Sequence, residues 1–137
     1  MSDDMNIAIE KILSEYRTIA MVGASPKPER PSYMVADFLI NEGYRVIPVT
    51  PMAKEVLGEK AHPDLTTITE QIDVVNIFRR SDEVLPVVEQ AIAIGAKAIW
   101  MQEGVIHEEA ACMAREAGLT VVMDRCMKIE IAQRQSP

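Results

Sequence analysis

The segment TIAMVGAS, residues 18–25, gives the clearest indication of the fold, since it is a run of apolar residues that ends at a glycine. A run that is nearly continuous rather than alternating is typical of a strand buried on both faces. Pro48 lies inside a second such run and cannot donate to a ladder, so we place it near the end of that strand. The later runs of the same kind lie at residues 45–49, 73–77, 97–101 and 119–123.

Segments with apolar residues at helical spacing separate these runs. Gly43, Gly95 and Gly118 stand just past three of them, where helices commonly end. Strand and helix alternate throughout, which predicts an α/β fold with a Rossmann-like, doubly wound parallel sheet of five strands and helices on both faces. The predicted helices cover 5–15, about 32–41, a segment that ends at Gly95, about 108–117 and 127–133, with a short helical turn near 69–72.

Composition narrows the class of protein. A chain of 137 residues suits a single domain over residues 1–137. The net charge of −7 disfavours a broad surface for nucleic acid or acidic lipid. No apolar run approaches the about 18 residues of a membrane-spanning helix, and the first residues lack a signal pattern. We therefore expect a soluble, cytoplasmic protein with a small-molecule partner; the oligomeric state, a homodimer included, is left open.

The segment GASPKPERPSY, residues 23–33, is a candidate phosphate cradle after the first strand. Gly23 permits a sharp turn, and Ser32 is placed as the N-cap of the next helix. A helix start presents unpaired N–H groups that attract phosphate. The alternative interpretation is a proline-rich connecting loop. The segment also contains donors and positive charge at Ser25, Lys27 and Arg30.

Arg79 and Arg80 follow the third strand, at the edge where ligands bind in such sheets. Guanidinium groups bind phosphate in a bidentate manner and stack on flat rings, so both are candidate binding residues. The alternative is surface ion pairs with Asp82 or Glu83.

Polar residues also follow the fourth and fifth strands, and we count Gln102, Asp124 and Cys126 as candidate binding residues. Glu103 with His107 is weak evidence for catalysis, and His107 is better placed as a helix cap. Cys126 either faces the ligand or packs beneath the last helix. The spacing of the cysteines suggests no metal site or disulfide framework.

An NAD site needs three spaced glycines and an acidic residue about 20 positions on. Only Gly23 is present, and the second strand ends PVTP, residues 48–51, without a carboxylate. A P-loop is also absent, since the sequence contains no Gly-Lys-Ser/Thr. The alternatives that remain open are an NAD(P)-dependent oxidoreductase, a CoA-linked transferase that uses Glu103 or Cys126, and an interaction protein.

As a set, these segments resemble the small stand-alone CoA-binding proteins, whose domain is similar to the N-terminal CoA-binding domain of the succinyl-CoA synthetase α subunit. Thr50 and His107 depart from the family pattern, which usually has Asn at both positions. The stretches that match are VGAS 22–25, RPSY 30–33, GYRVIPV 43–49, DVV 73–75, FRR 78–80, GAK 95–97, WMQEGV 100–105 and VMDRC 122–126.

The resemblance implies that coenzyme A or an acyl-CoA is held at the carboxyl edge of the sheet as the cofactor, through its nucleotide and phosphates. In the synthetase, phosphoryl transfer uses a histidine of a second domain, which residues 1–137 do not contain. We therefore expect binding without catalysis by this chain. The resemblance places the pyrophosphate by Gly23, Ala24 and Ser25, the phosphates near Arg30, Ser32 and Tyr33, and the nucleotide by Thr50, Pro51, Phe78 and Arg79.

Overall fold

The computed structural model describes residues 2–135. Its helices begin and end within about three residues of the predicted bounds, because each has an apolar face and residues typical of helix ends. The helices are α1 (Ser2–Glu15), α2 (Pro31–Asn41), α3 (Val84–Ala93), α4 (Glu108–Glu116) and α5 (Met127–Gln135). The strands are β1 (Thr18–Val22), β2 (Arg45–Val49), β3 (Glu55–Val56), β4 (Glu59–Lys60), β5 (Val74–Ile77), β6 (Ala98–Met101) and β7 (Thr120–Val122).

The main sheet has five parallel strands in the order β2-β1-β5-β6-β7, which confirms the predicted fold class. Ile19 of β1 pairs with Val46 on one side and with Val74 on the other. After β1, the next strand, β2, is thus added on one side of β1, and the later strands of this sheet are added on the other side, beginning with β5. In an open α/β sheet this switch point is where a crevice forms beyond the carboxyl ends of the strands.

Both faces of the sheet are covered, as the continuous apolar runs predict. α3 and α4 pack on one face, with Val88 and Ala114 in its core. α1, α2 and α5 pack on the other face, which buries Leu39, Met127 and the fully buried Trp100. We call these the α3/α4 face and the α2/α5 face.

Pro48 lies fourth in β2, the edge strand, paired with Met21. Its carbonyl accepts from the His62 amide at 3.0 Å, and the Thr50 amide donates to the His62 carbonyl at 2.7 Å. Because a strand residue directs its nitrogen and carbonyl to the same side, the Pro48 nitrogen faces His62 and no bond to β1 is lost.

The segment between β2 and β5 differs most from the prediction. No helix forms at residues 69–72; a 3₁₀ turn lies earlier, at Leu65–Thr67, because the Asp64 carboxylate accepts from the Thr66 amide at 2.8 Å. β3 and β4 form an unpredicted hairpin whose turn residues, Leu57 and Gly58, have φ of 52° and 78°. Within residues 2–135, no helix is both long and apolar enough to cross a bilayer.

Candidate functional site

Gly23 lies at the switch point of the sheet, directly after β1. Its φ is 91°, and a Cβ atom there would lie 2.3 Å from the Phe78 carbonyl oxygen. The Phe78 amide donates to the Val22 carbonyl at 2.8 Å, so the ends of β1 and β5 are held against each other. Only glycine fits here. The positive φ is unfavourable for any residue with a Cβ atom, and that atom would also collide with the Phe78 carbonyl.

The start of α2 corrects the predicted N-cap. Arg30, with extended backbone angles, takes the N-cap position, and Pro31 is the first helical residue, which suits its fixed φ. Ser32 is therefore the second helical residue and caps nothing. It is 5 % exposed, and neither its amide nor its hydroxyl has a hydrogen-bond partner within residues 2–135. These two groups are free to bind a ligand at the helix start.

Ser32 opens onto a cavity of about 420 Å³, which we call the cation-lined cavity. Its charged residues are Lys27 and Arg30; no carboxylate lines it, and neither cation forms an ion pair within the described chain. Thr50 and Ser25 accept from the amides of Met52 and Lys27, each at 3.1 Å, which leaves both hydroxyl protons free to donate. The lining is Gly23, Ala24, Ser25, Pro26, Lys27, Arg30, Pro31, Ser32, Thr50, Met52 and Phe78.

A second cavity of about 370 Å³ lies on the other side of Gly23, and we call it the acid-rimmed cavity. Among residues 2–135, Arg79 is the cation that lines it, and the Arg79 Nε lies 3.9 Å from a Glu83 carboxylate oxygen. A hydrogen bond from the Thr66 side chain lowers the pKa of Asp64 from its ordinary value. The lining is Val22, Gly23, Val49, Pro51, Pro63, Asp64, Leu65, Arg79, Asp82, Glu83, Pro86, Val87 and Gln90.

The amides of Gly23 and Ala24 are already used within the fold. Both donate to the Val49 carbonyl, at 3.0 and 3.4 Å. The donors that the loop leaves available to a ligand are therefore its side chains and the start of α2, rather than its first two N–H groups.

Four of the candidate residues lie at the carboxyl edge or near it but outside the lining of both cavities. Arg80 is an exposed side chain that pairs with Asp82 at 3.4 Å, as the alternative interpretation expects. Tyr33 packs against the core of the α2/α5 face. Asp124 has a φ of 63° and accepts from the Gly104 amide at 2.7 Å, which fixes the turn after β6. Cys126 is partly buried.

Gln102 also lies outside both cavities and is 4 % exposed. Its Oε1 accepts from the Met127 amide at 3.1 Å, so its carboxamide caps the start of α5. His107 is confirmed as a helix cap, since its Nδ1 accepts from the Ala110 amide at 3.0 Å. No cluster of three potential metal-ligating side chains occurs in residues 2–135.

Sequence reasoning did not single out Asp64, Val87 and Gln90, which line the acid-rimmed cavity. One signal was present: Asp followed by Leu-Thr-Thr is a typical N-cap pattern, and it marks the turn that brings this segment over the ends of β1 and β2. The helix residues carry no such signal, since they are ordinary positions of α3.

The fold and this site define a class of protein. The model of the CoA binding domain family matches residues 17–132, so the chain belongs to that family. Among curated proteins, it is 41 % identical over 129 residues to the uncharacterized protein YneT of Bacillus subtilis, which covers 94 % of this chain and 96 % of YneT.

Two solved structures show how far the similarity extends. A hypothetical protein from Pyrococcus horikoshii superposes with a TM-score of 0.89 at 44 % identity, over 95 % of this chain and 90 % of that one. A dinucleotide-forming acetyl-coenzyme A synthetase from Candidatus Korarchaeum cryptofilum superposes with a TM-score of 0.70 at 27 % identity. That match covers 81 % of this chain but 26 % of the synthetase.

Proposed function

We propose that this protein binds coenzyme A or an acyl-CoA, through the nucleotide and its phosphates and without catalysis of its own. The observation that supports this most is the cation-lined cavity, where Lys27 and Arg30 have no acidic partner among residues 2–135 and Ser32 offers an amide and a hydroxyl that bind no group of that range. A polyanion gains most from cations that need not leave an existing ion pair. A cytoplasmic location and a small-molecule partner belong to the same proposal.

The second support is the arrangement of two cavities that meet at Gly23. Coenzyme A joins a flat, uncharged base to several phosphates, and the two parts need different surroundings. The apolar floor of the acid-rimmed cavity, with Val22, Val49 and Val87, suits a base, and the carboxylates at its rim disfavour phosphate there. The phosphates then lie in the cation-lined cavity.

Arg79 fits this arrangement as a group at the boundary. It lines the acid-rimmed cavity beside Gly23, and its pairing with Glu83 is long, at 3.9 Å. A guanidinium can stack on a base and reach a phosphate at the same time. We keep Arg79 as a binding residue that must first give up part of its contact with Glu83.

Calorimetric titration with coenzyme A, dephospho-coenzyme A, NAD and ATP tests the proposal. We expect coenzyme A to bind most tightly, and at about 100 times its dissociation constant to raise the free energy of unfolding by about 2.7 kcal/mol. Tighter binding of NAD would favour the oxidoreductase alternative. If none of the four binds at millimolar concentration, the proposal is wrong.

A further inference from the structure

Cys126 lies over the end of β6, on the same face of the sheet as the cation-lined cavity. The Arg125 amide donates to the Met101 carbonyl at 3.3 Å, and the Met127 amide donates to the Gln102 side chain. Both bonds bring the link between β7 and α5 back across β6. Cys126 packs against the core of the α2/α5 face together with Phe78, which itself lines the cation-lined cavity.

Gln102 supplies a second and independent feature at this corner. The side chain is 4 % exposed, and its Nε2 donates to no group within residues 2–135. Within those residues, Asn76 Oδ1 is the side-chain polar atom that is both fully buried and without a hydrogen-bond partner. Gln102 Nε2 also has no partner among them, so it cannot be fully buried and must be accessible from the surface. A nearly buried carboxamide, which is held by the amide of Met127, the residue after Cys126, thus presents a free donor that can bind an amide carbonyl of a ligand.

The distance from the phosphates to this corner fits one particular ligand. Gly23 follows β1 and Cys126 lies over β6, two strands away in the sheet, which is about 10 Å. The arm of coenzyme A that leads from the pyrophosphate to the thiol has the backbone length of about four residues and spans about 14 Å when extended. It contains two amides and ends in a sulfur atom, so it can pass Phe78 and Gln102 and reach Cys126.

We propose that Cys126 exchanges its thiol with a disulfide form of the bound coenzyme, which makes the protein a carrier of coenzyme A in disulfide linkage. This inference depends on the proposed function. The Cys126 thiolate attacks one sulfur of coenzyme A disulfide, the S–S bond breaks, and a Cys126–coenzyme A disulfide forms. The departing coenzyme A thiolate takes up the proton that Cys126 released, so the oxidant is the disulfide itself.

Cys112 provides a matched control within the same chain. It is a free and exposed thiol on α4, which covers the opposite face of the sheet. It is more accessible than Cys126 but has no cation-lined cavity beside it. Simple accessibility therefore favours reaction at Cys112, whereas delivery by the bound nucleotide favours Cys126.

The experiment incubates the reduced full-length protein, freed of reductant, with coenzyme A disulfide and follows the adduct by intact mass and peptide mapping. We expect one coenzyme A unit on Cys126, removed by dithiothreitol, and formed at least about tenfold faster than the adduct of 2-hydroxyethyl disulfide, which has no nucleotide. Excess 3′,5′-ADP, which has the phosphates but no thiol, should slow it. Cys126→Ser should remove this adduct and Cys112→Ser should keep it.

Three results would overturn the inference. The first is modification of Cys112 as fast as of Cys126, and the second is an equal rate of adduct formation with the two disulfides. The third is absence of the Cys126 adduct although calorimetry shows that the wild-type protein binds reduced coenzyme A. If the wild-type protein does not bind reduced coenzyme A at all, the proposed function fails first and the inference with it.

Discussion

The two cavities beside Gly23 are similar in volume but differ in whether the cations that line them are paired with carboxylates. In the cation-lined cavity, Lys27 and Arg30 have no ion-pair partner within residues 2–135. In the acid-rimmed cavity, Arg79 lies beside Glu83, with two further carboxylates in the lining. Lys27 and Arg30 thus remain without an ion pair in the described chain and lie together in one cavity, although the net charge of the protein is −7.

An arginine at a strand end therefore does not by itself define an anion site. The free energy of binding depends on which interactions the cation loses, with water or with a carboxylate, when it contacts the ligand. Arg30 leaves only water, whereas Arg79 also leaves a carboxylate. The structure therefore ranks the two arginines in a way that their positions in the sequence do not.

The largest effect should follow from Gly23→Ala, which changes the wall that the two cavities share. The added Cβ would meet the Phe78 carbonyl at 2.3 Å in a left-handed backbone. We expect a loss of about 2–4 kcal/mol in the free energy of unfolding, measured by urea denaturation, and at least tenfold weaker coenzyme A binding.

Gly43→Ala is the matched control for that variant. Gly43 has a similar φ of 95°, but a Cβ there would meet nothing within 4 Å. It should lose about 1–2 kcal/mol, from the backbone conformation alone, with coenzyme A affinity retained. Equal losses of stability in the two variants would show that the contact with Phe78 is unimportant.

The next effect should follow from Arg30→Glu, which places a carboxylate in the cation-lined cavity. We expect coenzyme A affinity to fall by about tenfold to one-hundredfold, because charged hydrogen bonds are worth about 1.5–3 kcal/mol. Arg115→Glu makes the same change of charge in the last turn of α4, far from the carboxyl edge. Calorimetry at fixed salt should find its affinity within about twofold of wild type; similar losses would indicate a general charge effect.

Arg79→Ala should have a smaller effect than Arg30→Glu but a clearly larger one than Glu103→Ala. We expect about threefold to tenfold weaker binding for Arg79→Ala, since the wild-type guanidinium already interacts with Glu83. Glu103 is exposed and lines neither cavity. Equal losses for the two alanine variants in a calorimetric titration would show that the phosphates lie elsewhere.

Sequence patterns predicted the sheet well because strands that are buried on both faces consist of continuous apolar runs, such as residues 18–22, and such runs are easy to recognise. They failed between β2 and β5, where local backbone geometry decides. The hairpin turn needs positive φ at Leu57, and leucine gives no sign of that. At α2, Ser32 has the right chemistry for a cap, but the fixed φ of Pro31 makes Pro31 the first helical residue.

The sequence predicts that the candidate residues share one edge of the sheet, but it does not predict which of their donors are free. Glycine, serine and arginine after strand ends indicate the carboxyl edge, because parallel strands end together. Which donors are free depends on contacts that the sequence does not display. The Gly23 amide is bound to Val49 and the Gln102 carboxamide to Met127, and both bonds join segments distant in the chain.

The smallest expected effect concerns the segment that forms one wall of each cavity. Thr50 and Asp64 lie on it, and Arg45 anchors it at the edge strand through Glu59 and, at 2.8 Å, Glu70. The hydrogen bond from Arg45 lowers the pKa of Glu70 from its ordinary value, against a smaller opposing effect of burial. Because the folded-state pKa is the lower one, the stabilisation is present above the unfolded-state pKa and is lost as pH falls through the folded-state pKa.

Glu70→Gln tests this anchor by urea denaturation between neutral and strongly acidic pH. Near neutrality we expect the variant to be less stable by no more than about 1 kcal/mol, because the pair is half exposed. The difference should vanish as the wild-type carboxylate is protonated, and about 1 M salt at neutral pH should reduce it. A difference that persists at a pH where both proteins carry a neutral side chain would mean that Glu70 acts through its shape or packing, and that charge does not hold this wall in place.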